Sequence, residues 1–106
     1  MTWTRVCPLA EIPVGATRPA EVAGESVLLC RVDAVSVHAI ADVCTHDDGP
    51  LDQGELDGRV IECPRHGARF DVTTGAVLRM PAVTPLATFP ARVADGWVEI
   101  DTEGGS

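Results

Sequence analysis

Eight prolines and ten glycines are spread through 106 residues, and this punctuation leaves little room for a helix. The apolar stretches are short and rich in Val and Ile, at residues 3–9, 26–32, 35–41, 59–62, 86–93 and 97–101. Runs of this length and composition read as strands. Turn chemistry joins them: Asp33-Ala34, Asp57-Gly58, Thr74-Gly75 and Asp95-Gly96 each stand where a hairpin would reverse. The pattern predicts an all-β fold, an antiparallel β-sandwich or partly open barrel.

Length allows one modest core, so the chain is read as a single domain over residues 1–106, with a frayed tail at about 102–106. Two longer connections, about 43–56 and 63–69, interrupt the series of tight turns. Structureless loops on a small scaffold usually have a functional reason. No apolar run is long enough to span a membrane, and the N-terminal residues lack the basic-then-apolar pattern of a secretory signal, which predicts a cytoplasmic protein. A net charge of −8 would repel phosphate backbones and anionic membranes, which argues against nucleic-acid and membrane partners. A basic docking face on another protein suits it better, because complementary charge speeds short-lived encounters.

Both long loops contain Cys and His. Cys44-Thr45-His46 and Cys63-Pro64-Arg65-His66 are separated by sixteen residues, a C-x-H, x16, C-x2-H arrangement. Within each loop, a thiolate and an imidazole two or three residues apart can reach one inorganic centre together. Soft thiolate suits iron–sulfur clusters and zinc, and imidazole serves both. A structural Cys2His2 zinc module for protein binding would use the same four residue types. Typical zinc motifs pair Cys with Cys and His with His, which this chain does not. A cytoplasmic setting also disfavours a Cys44–Cys63 disulfide.

At these residues the chain resembles the Rieske family of [2Fe–2S] proteins, whose paired loops each supply one Cys and one His. Residues 37–40, Gly67, Phe70-Asp71 and Met80-Pro81-Ala82 also look like that family's strands and loops, so the resemblance spans nearly the whole chain. It implies one [2Fe–2S] cluster, with Cys44 and Cys63 on one iron, His46 and His66 on the other, and Pro81 on a third loop nearby. Mixed ligation has a charge rationale. Two ferric ions and two sulfides leave two positive charges, which two thiolates cancel, and a neutral centre accepts an electron more readily than an anionic one. His-ligated clusters accordingly sit at roughly −150 to +300 mV, against about −400 mV for plant-type ferredoxins with four Cys.

Within that family, high-potential members carry two further Cys that cross-link the loops, and here those positions are Gly49 and Arg65. The loops are therefore expected to be held by the cluster and by packing alone. High-potential members also place a Ser and a Tyr where Ala68 and Phe70 stand, and donate hydroxyl hydrogen bonds to sulfur that favour the reduced state. Asp47, Asp48 and Asp52 on the first loop push the potential down further, partly offset by Arg65 and Arg69. The resemblance thus implies a potential near about −150 mV, at the low end of the range.

A Rieske oxygenase also needs a mononuclear iron held by two His and a carboxylate. The chain has three His, and after His46 and His66 only His38 remains. Nor does a G-x-G-x-x-G follow a strand to bind flavin or nicotinamide. The resemblance therefore implies a ferredoxin with no catalytic site of its own, carrying single electrons from a flavin-dependent ferredoxin reductase to a terminal oxygenase. The small subunit of an assimilatory nitrite reductase and a ferredoxin of iron–sulfur cluster assembly are alternatives of the same chemistry. Cys7 and Cys30, in strand-like runs, read as small hydrophobes, and Trp3, Trp97 and Phe89 as core anchors.

Overall fold

A computed structural model describes residues 3–45, 49–65, 67–80 and 84–102. Its strands are β1 (Thr4–Pro8), β2 (Thr17–Val22), β3 (Glu25–Arg31), β4 (Val37–Ala41), β5 (Glu55–Asp57), β6 (Val60–Glu62), β7 (Arg69–Asp71), β8 (Val77–Arg79), β9 (Thr88–Phe89), β10 (Ala91–Ala94) and β11 (Trp97–Ile100). One short 3-10 turn, Leu9–Glu11, follows β1. All pairings are antiparallel and form three sheets, in the orders β1-β11-β10, β2-β3-β4-β9 and β5-β6-β7-β8. The all-β fold expected from the turn-rich sequence is the one observed.

Strand β3 explains how the sheets stack. Its run Val27-Leu28-Leu29-Cys30 is entirely buried, although side chains alternate faces along a strand. Val27 and Leu29 join a cluster with Cys7, Ile12, Val98 and Ile100, from β1, the turn after it and β11. Leu28 and Cys30 join another with Ile61, Phe70 and Val72, from β6, β7 and the turn after β7. The four-stranded sheet of β3 is thus covered on both faces, with one core on either side.

Asp33 reverses the chain after β3 by accepting hydrogen bonds from the backbone N–H groups of Val35 and Ser36, both at 2.9 Å. Those bonds hold its carboxyl below the usual carboxylate range. Asp95-Gly96 joins β10 to β11 in a two-residue hairpin with positive φ at both positions. An equivalent hairpin, Ala23-Gly24 with φ of 52° and 82°, joins β2 to β3 without a turn signal in the sequence, since alanine rarely occupies that conformation. Strand β2 itself carries Pro19, which its edge position tolerates.

Two sequence expectations are corrected. The run 86–93 is not one strand: it divides at Pro90 into β9, in the middle sheet, and β10, in the sheet with β11. Proline has no N–H to continue the ladder, and its carbonyl instead accepts from the Asp101 N–H at 3.0 Å. Nor are Trp3 and Trp97 core anchors. Both are half-buried beneath cations, the Arg92 guanidinium 4.2 Å from the Trp3 ring centre and that of Arg5 5.6 Å from Trp97.

The same two arginines meet Glu99 from either side. Arg5 Nε lies 3.0 Å from Glu99 Oε2, Arg92 Nε lies 2.7 Å from Oε1, and all three residues stand in register across β1, β11 and β10. The Arg92 hydrogen bond, with Arg5 adding to it against the opposing effect of burial, holds the Glu99 carboxyl below its ordinary value. A carboxylate with a depressed folded-state pKa contributes stability above its unfolded pKa and loses it as pH falls through the folded value. Glu99→Gln is therefore expected to lower the melting temperature at pH 7. The gap from wild type should close as pH drops below the ordinary glutamate range of about 4.3, and a gap independent of pH would rule the linkage out.

Candidate iron–sulfur site

The site lies on the connections of the sheet β5-β6-β7-β8. The first loop leaves β4 and is anchored at both ends. Cys44 N–H donates to the Gly49 carbonyl at 2.7 Å, and the Asp42 carboxylate accepts from Leu51 N–H at 2.8 Å, seating Leu51 in the core. Leu51 O then accepts from Gly54 N–H at 2.8 Å, and β5 begins. The second loop, between β6 and β7, is tighter. Cys63 N–H donates to Ala68 O at 2.8 Å, and Gly67 N–H donates to Cys63 O at 3.0 Å. A third connection, between β8 and β9, reaches the first loop where the Thr45 hydroxyl donates to Thr84 O at 2.5 Å.

These loops bury both predicted thiols. Cys44 and Cys63 are 0% exposed and belong to the same cluster, together with Ala68, Phe70 and Leu86. Neither is in a disulfide. His46 and His66, the other two predicted ligands, lie outside the described residues, as do Pro81 and two of the loop acids, Asp47 and Asp48. Two buried thiols on adjoining loops form a soft donor pair that fits an iron–sulfur cluster.

Ala68 and Phe70, which stand where hydroxyl donors would raise the potential, are wholly buried in the cluster that holds the two thiols. Of the two loop cations, Arg69 directs its Nε to Glu62 Oε1 at 2.7 Å, so its charge is largely met by a carboxylate outside the first loop. Arg65 corrects a third expectation, that nothing but cluster and packing holds the loops together. Its Nη1 donates to Pro50 O at 2.9 Å, from the second loop to the first.

The remaining cysteines lie on strands rather than loops, Cys7 in β1 and Cys30 in β3, the latter in the same core cluster as the two loop thiols. Burial pushes the Cys30 thiol up to about 12, with Asp42 adding to the effect. Burial also raises Cys7, against the opposing charge of Arg18. Both are kept as neutral thiols, in keeping with their reading as small hydrophobes. His38 is half-buried and lines an open cavity with Val72, Thr73 and Phe89.

Sequence reasoning found both cysteine loops and missed the contacts that set them: Asp42, Thr45, Gly54 and Arg65. Only Arg65 offered a signal, a large side chain on one loop and a glycine, Gly49, on the other.

Three antiparallel sheets with two buried thiols on adjoining loops define the architecture of a small iron–sulfur protein. The Rieske [2Fe-2S] domain model matches residues 2–90. The ferredoxin CarAc of Metapseudomonas resinovorans is 36% identical over 101 residues, 95% of this chain and 94% of that protein. The ferredoxin component of biphenyl 2,3-dioxygenase from Rhodococcus jostii strain RHA1 is 35% identical over 105 residues, covering 99% and 97%. Among solved structures, the ferredoxin of carbazole 1,9a-dioxygenase from Nocardioides aromaticivorans IC177 superposes with a TM-score of 0.89 at 34% identity, covering 94% of this chain and 97% of that one. This chain belongs to the Rieske [2Fe–2S] family. Its cofactor is one [2Fe–2S] cluster.

Proposed function

We propose that this protein is a cytoplasmic one-electron carrier, a Rieske ferredoxin that takes electrons from a flavin-dependent ferredoxin reductase and passes them to a terminal oxygenase. The observation that carries this reading is the pair of buried thiols, Cys44 and Cys63, on a scaffold shared along nearly its whole length with ferredoxin components of dioxygenase systems. Cys44 and Cys63 would hold one iron, and His46 and His66 the other. When bound, the cluster supplies a site that accepts and releases a single electron.

The chain's own residues insulate and tune that site. Leu51, Phe70 and Leu86 exclude water from around the thiols, and the backbone bonds of Cys44 and Cys63 close each loop on itself. With two of its three His assigned to the cluster, the chain keeps no set of ligands for a catalytic iron. Among the described residues no helix is long and apolar enough to cross a membrane.

An anaerobic redox titration at neutral pH, followed by visible absorbance and by paramagnetic resonance of the reduced state, tests the proposal. A cluster spectrum that bleaches near about −150 mV supports a low-potential carrier, and a colourless protein containing zinc without sulfide would overturn it. Ala68→Ser and Phe70→Tyr should each raise the midpoint by about 50 mV, the one-electron equivalent of a hydrogen bond that strengthens on reduction. Unchanged midpoints in both would show that the absent hydroxyls are not what keeps the potential low.

A further inference from the structure

We infer that Arg65 is a positioning residue, a clasp that holds the two cysteine loops at the separation the cluster requires. Its backbone lies on the second loop, between Cys63 and Ala68, while its side chain reaches across to the first. Nη1 donates to Pro50 O at 2.9 Å. The guanidinium also lies flat against Gly49: a Cβ built there would fall 2.7 Å from Cζ, 2.7 Å from Nη2 and 3.0 Å from Nε. Gly49 is itself the acceptor for Cys44 N–H at 2.7 Å. A continuous path of contacts thus runs from the loop of Cys63, through the guanidinium, to the residue that fixes the backbone of Cys44.

The chemistry favours arginine in this role. A planar, always-charged fork can lie on a glycine surface and bond a carbonyl at its rim, whereas a lysine ammonium offers only a point contact. Gly49 is the complementary half, since any side chain there would occupy the space of the guanidinium. Its φ lies outside the left-handed region, so alanine would add a methyl group without straining the backbone.

This inference rests on the proposal that Cys44 and Cys63 hold the cluster. Its test is a double-mutant cycle on the loaded protein with Arg65→Met and Gly49→Ala, the first removing the clasp and the second pushing it aside. Two readouts are taken: the rate at which visible absorbance is lost to a chelator, and the paramagnetic resonance spectrum of the reduced state. Each single variant is expected to lose the cluster about three- to tenfold faster, the net worth of one exposed hydrogen bond. The double variant should be no faster than either single, and all three should show the same altered spectrum.

Arg65→Lys, which keeps the charge, should lose the cluster as Arg65→Met does. Additive effects, a silent Gly49→Ala, wild-type retention in Arg65→Lys, or a lower melting temperature with an unaltered spectrum would each overturn the inference while leaving the carrier reading intact. A wild-type protein that purifies without iron and sulfide overturns both.

Discussion

Replacing Cys44 or Cys63 with serine is expected to abolish the iron and acid-labile sulfide of the purified protein, whereas Cys7→Ser and Cys30→Ala should retain both. The four cysteines are alike in burial, all 0–2% exposed, so accessibility does not separate them. Position does. Cys7 and Cys30 lie within β1 and β3, whose backbones are committed to ladders with β11, β2 and β4. Cys44 and Cys63 begin the two connections that carry the predicted imidazoles, and the backbone N–H of each is bonded across its own loop. A hydroxyl is a hard donor, protonated at neutral pH, and binds the iron of a sulfide cluster far less well than a thiolate does. Burial that pushes Cys30 to about 12 makes it a poor substitute for a lost ligand. Colorimetric iron and sulfide, with visible absorbance, provide the measurement. Full cluster content in Cys44→Ser or Cys63→Ser would remove that residue from the ligand set.

A methyl group at Gly54 should be nearly as damaging, although Gly54 holds nothing. The Cβ of an alanine there would overlap the carbonyl oxygen of Glu62 and lie 3.1 Å from that of Leu51. Both obstacles are backbone, and neither can turn aside as a side chain could. Glu62 ends β6 immediately before Cys63, so relief must come from moving the first loop away from the second. Overpacking of this kind costs about 1–3 kcal/mol, and the displacement falls on the spacing between the two thiols. Gly54→Ala is expected to lower the melting temperature and to yield largely cluster-free protein. Gly15→Ala is the control, because Gly15 has a positive φ but open space around it, and should cost about 1 kcal/mol with the cluster retained. Equal cluster content in the two variants would show that close approach at Gly54 does not govern the site.

Arg65 and Gly54 show two kinds of control over one pair of loops. Gly54 sets how near the first loop can come to β6, through the absence of a side chain. Arg65 sets how far apart the loops can drift, by a bond to Pro50. Thr45 adds a third restraint, tying the first loop to the connection before β9. None of these residues bears a thiol or imidazole, so a search for ligand chemistry passes over them.

The sequence alone determined what depends on near neighbours along the chain. Short Val-containing runs beside Asp-Gly turns define β6 and β11 through local backbone preference, and Cys and His two or three residues apart define candidate ligands through reach. Only the tertiary structure decided what depends on residues distant in sequence. Pro90 divides one apolar run between two sheets because the partners of β9 and β10 belong to different ladders. Val27 to Cys30 is buried without alternation because a second core forms on the far side of its sheet. Gly49 and Arg65, sixteen positions apart, read as a missing cross-link until the folded loops bring them together. Chain-distant contacts of this kind form only when whole sheets pack, and no local propensity records them.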